Sequence, residues 1–383
     1  MNDRPVLGRR YYGGVSFGPR VTVDAASSLL IVGPTQAGKT SSLVMPALLR
    51  WRDALVVTSV KRDVVAATLT WRRGLGDVQV LEPGRDGGLT WDPLEGVSSL
   101  RHATRVARDL TTGSSDRGDT EFWNSLATRL VAGLLSMAAE RGRTIFDVAD
   151  VIECRDVGTW LEDASRSSAA EVVRRFLDHE PKTLDGVLTT AETMLMPWRF
   201  PQPLARVRRV LDGPNTLYLC SPRGEQRHYE PLFRGALRMV LEEQQRRVEA
   251  GSARRVLVVL DEAASVASLD ELDELAATVR GLNVTLVTVV QDFAQLAARW
   301  GPRAATIVNN HTARVVLAGL ADPTVGKYLP ELVENTKEHP RVPLRLRPRG
   351  TAVVVAGGRR AFDVRLRPWW THRRLRGRGT RVR

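Results

Sequence analysis

The segment at residues 33–40, GPTQAGKT, constrains this chain more than any other part of its sequence, because it has the complete pattern G-x-x-x-x-G-K-[ST]. It follows the apolar run SLLIV and precedes a helical stretch that continues to Arg50. Glycines allow backbone N–H groups to close around phosphates, and the N-terminus of the following helix adds the positive end of a dipole. The pattern therefore predicts a nucleoside-triphosphate site.

The residues of this loop have distinct expected roles. The ammonium of Lys39 is expected to reach the β- and γ-phosphates, and the hydroxyl of Thr40 is expected to bind Mg²⁺. We expect ATP with Mg²⁺ to contact the whole run of Gly33, Pro34, Thr35, Gln36, Ala37, Gly38, Lys39, Thr40 and Ser41.

A pair of acids follows a later apolar run. The run VLVVL at 256–260 leads directly into Asp261 and Glu262. A carboxylate at the C-terminal end of a buried parallel strand lies at the edge of the sheet where ligands bind. Asp261 is expected to hold Mg²⁺ and Glu262 to act as general base towards the attacking water, although an acidic helix cap is the alternative.

Two further polar residues are candidates for the same chemistry. Gln291 ends the next strand-like run, VTLVTVV, where its amide can bond the γ-phosphate or the water; a polar helix cap is the alternative. Arg280 closes a helical stretch ahead of Gly281. It can enter a neighbouring subunit's site as an arginine finger, or it can be a favourable cation at a helix end.

The order of strand and helix patterns predicts an α/β fold with a mainly parallel sheet. Non-alternating apolar runs lie near residues 28–32, 54–58 and 78–81, and return at 216–220, 256–260, 284–290 and 314–318. Residues 97–200 instead carry long helical patterns, and residues 351–367 suggest a β-hairpin around Gly357-Gly358. We therefore predict a discontinuous nucleotide-binding domain at 1–95 and 211–370, interrupted by an all-α domain at 96–210.

The separation of the two nucleotide motifs favours a motor. Asp261 follows Lys39 by roughly 220 residues, with the helical domain between them. A small-molecule kinase usually completes its site within one compact core. The interrupted arrangement suits an enzyme that couples hydrolysis to movement.

The positive charge of the chain is confined to its end. From Arg341 onwards there are fourteen Arg, no Lys and one acid, Asp363, so this segment carries the whole formal charge of +13. The balanced remainder excludes a uniformly basic DNA-coating protein. For residues 341–370 we favour a structural hairpin with Trp369 and Trp370 packed beneath it over a single-strand-binding surface. Residues 371–383 read as a solvated basic tail that contacts nucleic acid or an acidic partner.

Cysteine content and hydropathy suggest where the protein works. The two cysteines, Cys154 and Cys220, are too few for a disulfide framework, which favours a reducing compartment. No apolar run reaches the roughly 20 residues that a membrane helix needs, and the N-terminus lacks an apolar signal core. We expect a cytoplasmic protein that a partner recruits to the inner face of the cell membrane.

Taken together, these motifs resemble the TraG/TraD-type coupling ATPases of conjugation and type IV secretion. The similarity runs from about residue 18 to RPWW at 367–370. Besides the loop, it is carried by the segments ALVVTSVKRDVVAAT, WDPL, EFW, VLVVLDEAAS, RGLNVTLVTVVQDFAQL and IVNNHTARVVLAG.

The resemblance implies a RecA-like nucleotide domain interrupted by an all-α domain, and a homo-hexamer around a channel. It implies ATP-driven delivery of DNA with its relaxase, or of another secretion substrate, to a type IV secretion channel. Family members usually begin with transmembrane helices, so a separate polypeptide is expected to supply the anchor, or the chain is a trimmed form.

The resemblance also assigns residues. It implies phosphate and Mg²⁺ roles for Lys39 and Thr40, the acidic motif for Asp261 and Glu262, and the glutamine motif for Gln291. Arg280 matches the arginine proposed to act in trans. In the family's D-x-K-G-[DE] segment the residues Lys61 and Asp63 match, whereas Ser59 replaces the first acid.

Two alternative functions stay open at this point. One is a double-stranded DNA pump of the FtsK/HerA type. Measuring which form of DNA stimulates hydrolysis would distinguish such a pump from a coupling protein. The other is a nucleotide-gated adaptor that docks substrate through its helical domain and has no motor activity.

Overall fold

The computed structural model describes residues 4–12, 15–24, 26–60, 62–111, 119–162, 167–221, 224–266, 269–330, 343–356 and 360–380. The chain forms two compact units. The first comprises Met1–Gln79, Arg208–Arg223 and Val240–Arg383, and the second comprises Val80–Val207 and Gly224–Met239.

The strands of the described residues, in chain order, are β1 Val6–Tyr12, β2 Val15–Thr22, β3 Ser28–Val32, β4 Ala54–Ser59, β5 Val78–Leu81, β6 Thr90–Trp91, β7 Leu204–Ala205, β8 Thr216–Cys220, β9 Val256–Leu260, β10 Val284–Val290, β11 Ala313–Leu317, β12 Thr351–Ala356 and β13 Phe362–Arg365. All but β6 and β7 form one sheet in the order β2-β1-β13-β12-β11-β3-β10-β9-β4-β8-β5. The two-residue strands β6 and β7 pair with each other in the second unit.

The centre of the large sheet is parallel. Strands β11, β3, β10, β9, β4 and β8 pair in parallel, and every residue of β3, β4, β8, β9 and β10 is buried. Strands with no solvent-facing side are typical of a parallel sheet covered on both faces. Beyond β11 the pairing becomes antiparallel through β12, β13, β1 and β2.

The predicted hairpin at 351–367 is confirmed, because β12 pairs antiparallel with β13. Its expected turn at Gly357-Gly358 lies outside the described residues. The hairpin of β1 and β2 was not predicted, and it extends the sheet by pairing Arg9 with Arg365.

The helices of the described residues are α1 Met45–Arg50, α2 Asp63–Arg73, α3 Leu100–Leu110, α4 Asp119–Glu140, α5 Ile145–Glu153, α6 Val157–Glu162, α7 Ser168–Leu177, α8 Pro181–Leu195, α9 Gln226–Glu249, α10 Leu272–Thr278, α11 Phe293–Trp300, α12 Arg303–Asn310, α13 Val325–Tyr328 and α14 Arg373–Arg376. A π-helical turn, Thr40–Val44, leads into α1. Within the described ranges, no helix has both the length and the apolar character needed to span a bilayer.

The second unit is built around α4. The face formed by Leu130, Val131, Leu134 and Leu135 is fully buried, and α4 packs against α3, α7 and α8. Gly133 permits the close approach of α7, because a Cβ at that position would lie 2.7 Å from the Val173 side chain.

The WDPL segment joins several parts of this second unit. The indole of the buried Trp91 donates to the Leu232 carbonyl at 2.9 Å, and the Trp198 indole donates to the Trp91 carbonyl at 2.8 Å. The Asp92 carboxylate accepts from the backbone N–H of Ile145, the first residue of α5, at 3.4 Å. These contacts give the segment a structural role.

The expectation of a free C-terminal arm is wrong for residues 372–380. Leu375 is buried in the first unit, the Thr380 N–H donates to the Ala67 carbonyl at 2.9 Å, and Arg378 donates to the Leu49 carbonyl at 2.9 Å. One apolar side chain and two backbone acceptors are enough to fix a short Arg-rich helix, and Trp369 is buried beside it as expected for a structural hairpin. Residues 381–383 lie outside the described part of the chain.

A buried histidine links α12 to β10 of the central sheet by hydrogen bonds. His311 is fully buried; its Nδ1 bonds the Ile307 carbonyl at 2.7 Å and its Nε2 bonds the Thr288 hydroxyl at 2.9 Å. Burial, together with the charge of Arg314, lowers the pKa of His311 to about 4, against the hydrogen bond to the Ile307 carbonyl. The folded protein therefore holds this ring neutral.

The low pKa of His311 predicts an acid-dependent loss of stability. The unfolded chain binds a proton near pH 6.5, whereas the folded chain binds it near pH 4, so the contribution is present above pH 6.5 and falls as the pH decreases towards 4. When the pH falls from 7.5 to 5, we expect the titration of His311 to lower the free energy of unfolding by about 2 kcal/mol. Urea unfolding at both pH values should show this loss in the wild type and not in His311→Gln. The exposed His179→Gln serves as control, and the same pH dependence in both variants would contradict the assignment.

Candidate active site

The loop that follows β3 has the backbone geometry of a tight phosphate-binding turn. Gln36 and Gly38 adopt positive φ angles of 62° and 92°. A Cβ at Gly33 would lie only 2.8 Å from the Cβ of Leu317, so the close approach of β11 requires glycine there. The Ala37 N–H donates to the Pro34 carbonyl at 3.2 Å, and the Ser42 N–H donates to Gly38 at 2.9 Å. The spacing of the two glycines in the pattern is therefore explained by the backbone.

The predicted loop residues occupy one continuous turn. Lys39 is 7% exposed, and its ammonium donates to the carbonyls of Gly33 at 2.5 Å and Pro34 at 3.1 Å. Thr35 and Gln36 at the tip are exposed to solvent. The hydroxyl of Ser41 donates to the Gly38 carbonyl at 3.4 Å. The buried ammonium of Lys39 lies on a tight turn that leads directly into the N-terminus of a helical segment, which suits an anionic ligand.

The acid after β9 meets the hydroxyl after the loop. The Thr40 hydroxyl donates to Oδ2 of Asp261 at 3.3 Å, although the two residues are 221 positions apart. The strands β3 and β9 both flank β10 in parallel, so their carboxyl ends lie on the same edge of the sheet. The Asp261 carbonyl also accepts from the Thr58 hydroxyl at the end of β4, at 3.0 Å.

Burial and, after it, the charge of the neighbouring Glu262 carboxylate raise the pKa of Asp261 to about 6, against the hydrogen bond from Thr40 and the charge of Lys39. A buried carboxylate in this state gains by meeting a cation. The Thr40 hydroxyl and the Asp261 carboxylate supply oxygen atoms, which are the hard ligands that Mg²⁺ prefers. The residues present therefore fit a magnesium ion.

Two further predicted residues, Glu262 and Gln291, contact each other beside this pair. The Gln291 side-chain amide donates to Oε2 of Glu262 at 3.1 Å. Glu262 has a positive φ of 57°, and the N–H of the following Ala263 is tied to the Val289 carbonyl of β10 at 3.1 Å. The strained turn directs the carboxylate of Glu262 towards the end of β10, where Gln291 lies.

Sequence reasoning missed the residues that hold Gln291 in place. The side chain of Gln295 accepts from the Gln291 N–H at 2.9 Å, and Asp292 accepts from the Gln295 N–H at 2.7 Å as the cap of α11. Asp322 accepts from the Phe293 N–H at 2.7 Å and is fixed by Thr324 at 2.6 Å. The run AGLADPTVGKYL contains this acid, but its role depends on a contact 29 residues away, which no local pattern signals.

The structure does not bring Arg280 to this site. Arg280 is exposed and lies just before β10, at the amino end of the strand, whereas Gln291 follows its carboxyl end. The seven residues of β10 separate the two by about 23 Å. Within one chain, Arg280 lies at the opposite edge of the sheet from the phosphate loop.

The structure describes only part of the segment at 59–63 that resembles D-x-K-G-[DE]. Ser59 is buried at the end of β4, and its carbonyl accepts from the Ser221 N–H at 3.1 Å. Asp63 begins α2 and its charge raises the pKa of Asp261, so it belongs to the surroundings of the site. Lys61 lies outside the described residues.

Solved structures with the same fold include two of a plasmid coupling protein, TrwB. Its complex with the GTP analogue GDPNP superposes with a TM-score of 0.67 at 18% identity, covering 95% of this chain and 94% of TrwB. Its complex with ADP and Mg²⁺ gives a TM-score of 0.65 at 18% identity, over 90% and 85%. The α/β class and the RecA-like fold that the resemblance implied are confirmed.

Two relatives are similar to this chain over most of its sequence. Conjugal transfer protein TraG of Escherichia coli is 25% identical over 311 residues, which are 71% of this chain and 49% of TraG. Protein VirD4 of Rhizobium rhizogenes is 24% identical over 356 residues, 86% of this chain and 52% of VirD4. The chain thus spans about half the length of these relatives. The family model described as type IV secretory system conjugative DNA transfer matches residues 2–338. The chain therefore belongs to the type IV secretory system conjugative DNA transfer family.

Proposed function

We propose that this chain is the ATP-hydrolysing motor of a DNA-transfer system, in which hydrolysis drives DNA towards a secretion channel. The hydrogen bond between Thr40 and Asp261 is the observation that supports this most strongly. It joins the phosphate loop to the acidic strand at the edge of a parallel sheet, with the Glu262–Gln291 pair beside it. That arrangement supplies phosphate binding, metal binding and base chemistry within one unit.

The residues divide the work of binding. The backbone N–H groups of residues 33–41 and the ammonium of Lys39 hold the phosphates, and Lys39 exchanges its bonds with the loop carbonyls for bonds with phosphate oxygens. Thr40 and Asp261 hold Mg²⁺. When bound, the ion neutralises charge that develops on the phosphate oxygens.

The pair of Glu262 and Gln291 acts on the attacking water. The Glu262 carboxylate accepts a proton from the water, and the Gln291 amide fixes the orientation of that carboxylate through its bond to Oε2. Gln291 is also coupled to α11 through Gln295. A change at the site therefore reaches α11 directly, which supports a link between hydrolysis and movement.

The family supports the remaining parts of the proposal. TraG is named for conjugal transfer and TrwB as a plasmid coupling protein. We propose that this chain assembles as a homo-hexamer and takes DNA with its relaxase, or another secretion substrate, as cargo. Type IV secretion channel components or a membrane anchor then recruit it to the inner face of the cell membrane. The helical second unit is the part we propose to face the substrate.

Substitution of Glu262 tests the motor against an adaptor that only binds nucleotide. Glu262→Gln should bind Mg²⁺-ATP as tightly as the wild type but hydrolyse it at least about 100-fold more slowly, because the general base is lost. Lys39→Ala should lose binding and hydrolysis together. Nucleotide titration and phosphate release with single- and double-stranded DNA measure both properties, and the exposed Glu249→Gln is the charge-matched control. DNA transfer that persists in Glu262→Gln would contradict a motor.

The position of Arg280 predicts that it acts only on a neighbouring subunit. Because it lies at the opposite edge of its own sheet, the finger it provides must enter another subunit's site. Arg280→Ala protein keeps its own phosphate loop and Lys39→Ala protein keeps its Arg280, so mixing the two variants should restore DNA-stimulated hydrolysis that neither shows alone. The exposed Arg73→Ala variant should keep its hydrolysis when assayed alone. An Arg280→Ala variant that stays active alone, or a mixture that recovers no activity, would exclude the finger.

A further inference from the structure

A cavity in the first unit is lined by basic side chains from five parts of the chain. Its volume is about 60 Å³, several times what one water needs. The basic residues on its wall are Arg9 of β1, Arg20 of β2, Arg50 of α1, Arg365 of β13, and Arg367 and His372 of the following segment. Residues more than 350 positions apart thus converge on one small space.

None of the residues lining this cavity is acidic. Within the described part of the chain, none of its five arginines has a carboxylate within salt-bridge distance. The nearby acids are already used elsewhere, since Asp24 pairs with Arg4 at 3.2 Å and Asp363 pairs with Arg347. Arg50 donates to the Pro46 carbonyl of its own helix at 3.1 Å. The positive charge in the cavity is therefore not neutralised by these acids.

The mutual repulsion of these groups is reflected in their titration. Burial, together with the charges of Arg20 and Arg378, lowers the pKa of Arg50 to about 10. Burial and the charges of Arg50, Arg20 and Arg367 lower the pKa of His372. Like charges held together in this way cost folding free energy, and an anion in the cavity would offset that cost.

We propose that this cavity is a second anion site that binds a phosphate group, separate from the phosphate loop. Guanidinium groups present planar pairs of N–H donors that match phosphate oxygens, and several of them around one cavity suit a tetrahedral oxyanion. Ser16 and Ser42 also line the cavity, and a serine hydroxyl can serve as a neutral donor to phosphate. The group comes either from a phosphodiester of a nucleic-acid strand or from a free phosphate compound.

The cavity shares an element with the nucleotide site. Ser42, Pro46 and Arg50 line it, and they lie on the helical segment that starts at Thr40. The Ser42 N–H donates to the Gly38 carbonyl of the phosphate loop at 2.9 Å. A phosphate bound here therefore contacts the same rigid helix that positions Thr40, which gives the site a direct route to the hydrolytic centre.

Titration of inorganic phosphate tests the site directly. The full chain carrying Lys39→Ala, which disables the phosphate loop, is used as the parent so that only the cavity contributes. Adding Arg20→Gln with Arg367→Gln should weaken phosphate binding by at least about tenfold in calorimetry, because charge-assisted hydrogen bonds are lost. The control pair Arg373→Gln with Arg374→Gln removes the same charge from exposed positions nearby and should change the Kd by less than about twofold. Equal losses in the two pairs, or no loss in the cavity pair, would overturn the proposal.

Thermal unfolding shows whether the variant Arg20→Gln with Arg367→Gln, here called the cavity pair, is folded. A loss of phosphate binding can then be assigned to the cavity and not to misfolding. Without phosphate, the cavity pair should unfold at the same temperature as the parent or higher, because repulsion has been removed. Phosphate should then raise the unfolding temperature of the parent and of the control pair, but not that of the cavity pair. A cavity pair that phosphate stabilises as much as the parent would overturn the proposal.

Oligonucleotide binding distinguishes the two sources of the phosphate. For a phosphodiester, the cavity pair should weaken DNA binding and reduce the slope of log K against log salt by about two relative to the control pair. For a free phosphate compound, DNA binding should match the control while phosphate binding is lost. The outcome does not depend on hydrolysis, so it remains interpretable if the proposed motor activity fails.

Discussion

The hydrogen bond from Thr40 to Asp261 depends on a single constraint, the parallel pairing of β3, β10 and β9. In that pairing Val32 lies beside Val290, and Leu260 lies beside Thr288. Strands that run in the same direction end on the same edge, so the polar residues that follow each one converge. The loop, the acids and Gln291 reach each other because three apolar strands hold this register. Any change that shifts the register of β10 would separate all of them.

The central part of this arrangement could be predicted because the backbone conformation or burial restricts which residue type can occupy each position there. The glycines of the loop indicate positive φ angles or close packing, and the unbroken apolar runs indicate strands that are covered on both faces. Asp261 and Gln291 were found because each follows such a run directly. The contacts of Asp261 with Thr40 and of Gln291 with Glu262 required only that the sheet be parallel.

The parts that could not be predicted depend on contacts between distant segments. The hairpin of β1 and β2 is largely exposed, and its place in the sheet follows from pairing with β13, which lies more than 340 residues later. Residues 372–380 were expected to be solvated because one Leu among many arginines gives no periodic signal, yet Leu375 is buried. Asp322 supports Gln291 through the N-terminus of α11, and no spacing rule connects the two residues.

The charge of the chain also gains a different meaning from the fold. The sequence has a balanced body and a basic end, but the fold brings Arg9, Arg20 and Arg50 from the body together with Arg365 and Arg367 from the end. The basic segment thus completes a cavity whose other half comes from the N-terminal hairpin and the helix of the phosphate loop. Two of the fourteen arginines of the basic end therefore lie in the first unit beside the helical segment that follows the phosphate loop.

We propose that Thr40 and Asp261 together hold the metal ion of a nucleotide site. Mn²⁺ binding in the presence of ADP, followed by electron paramagnetic resonance, measures this in Thr40→Val, Asp261→Asn and the double variant. Each single change should weaken Mn²⁺ binding at least about tenfold, and the double variant should be hardly weaker than either, because the two side chains serve one ion. Unchanged Mn²⁺ affinity in Asp261→Asn, or two losses that multiply fully, would contradict it.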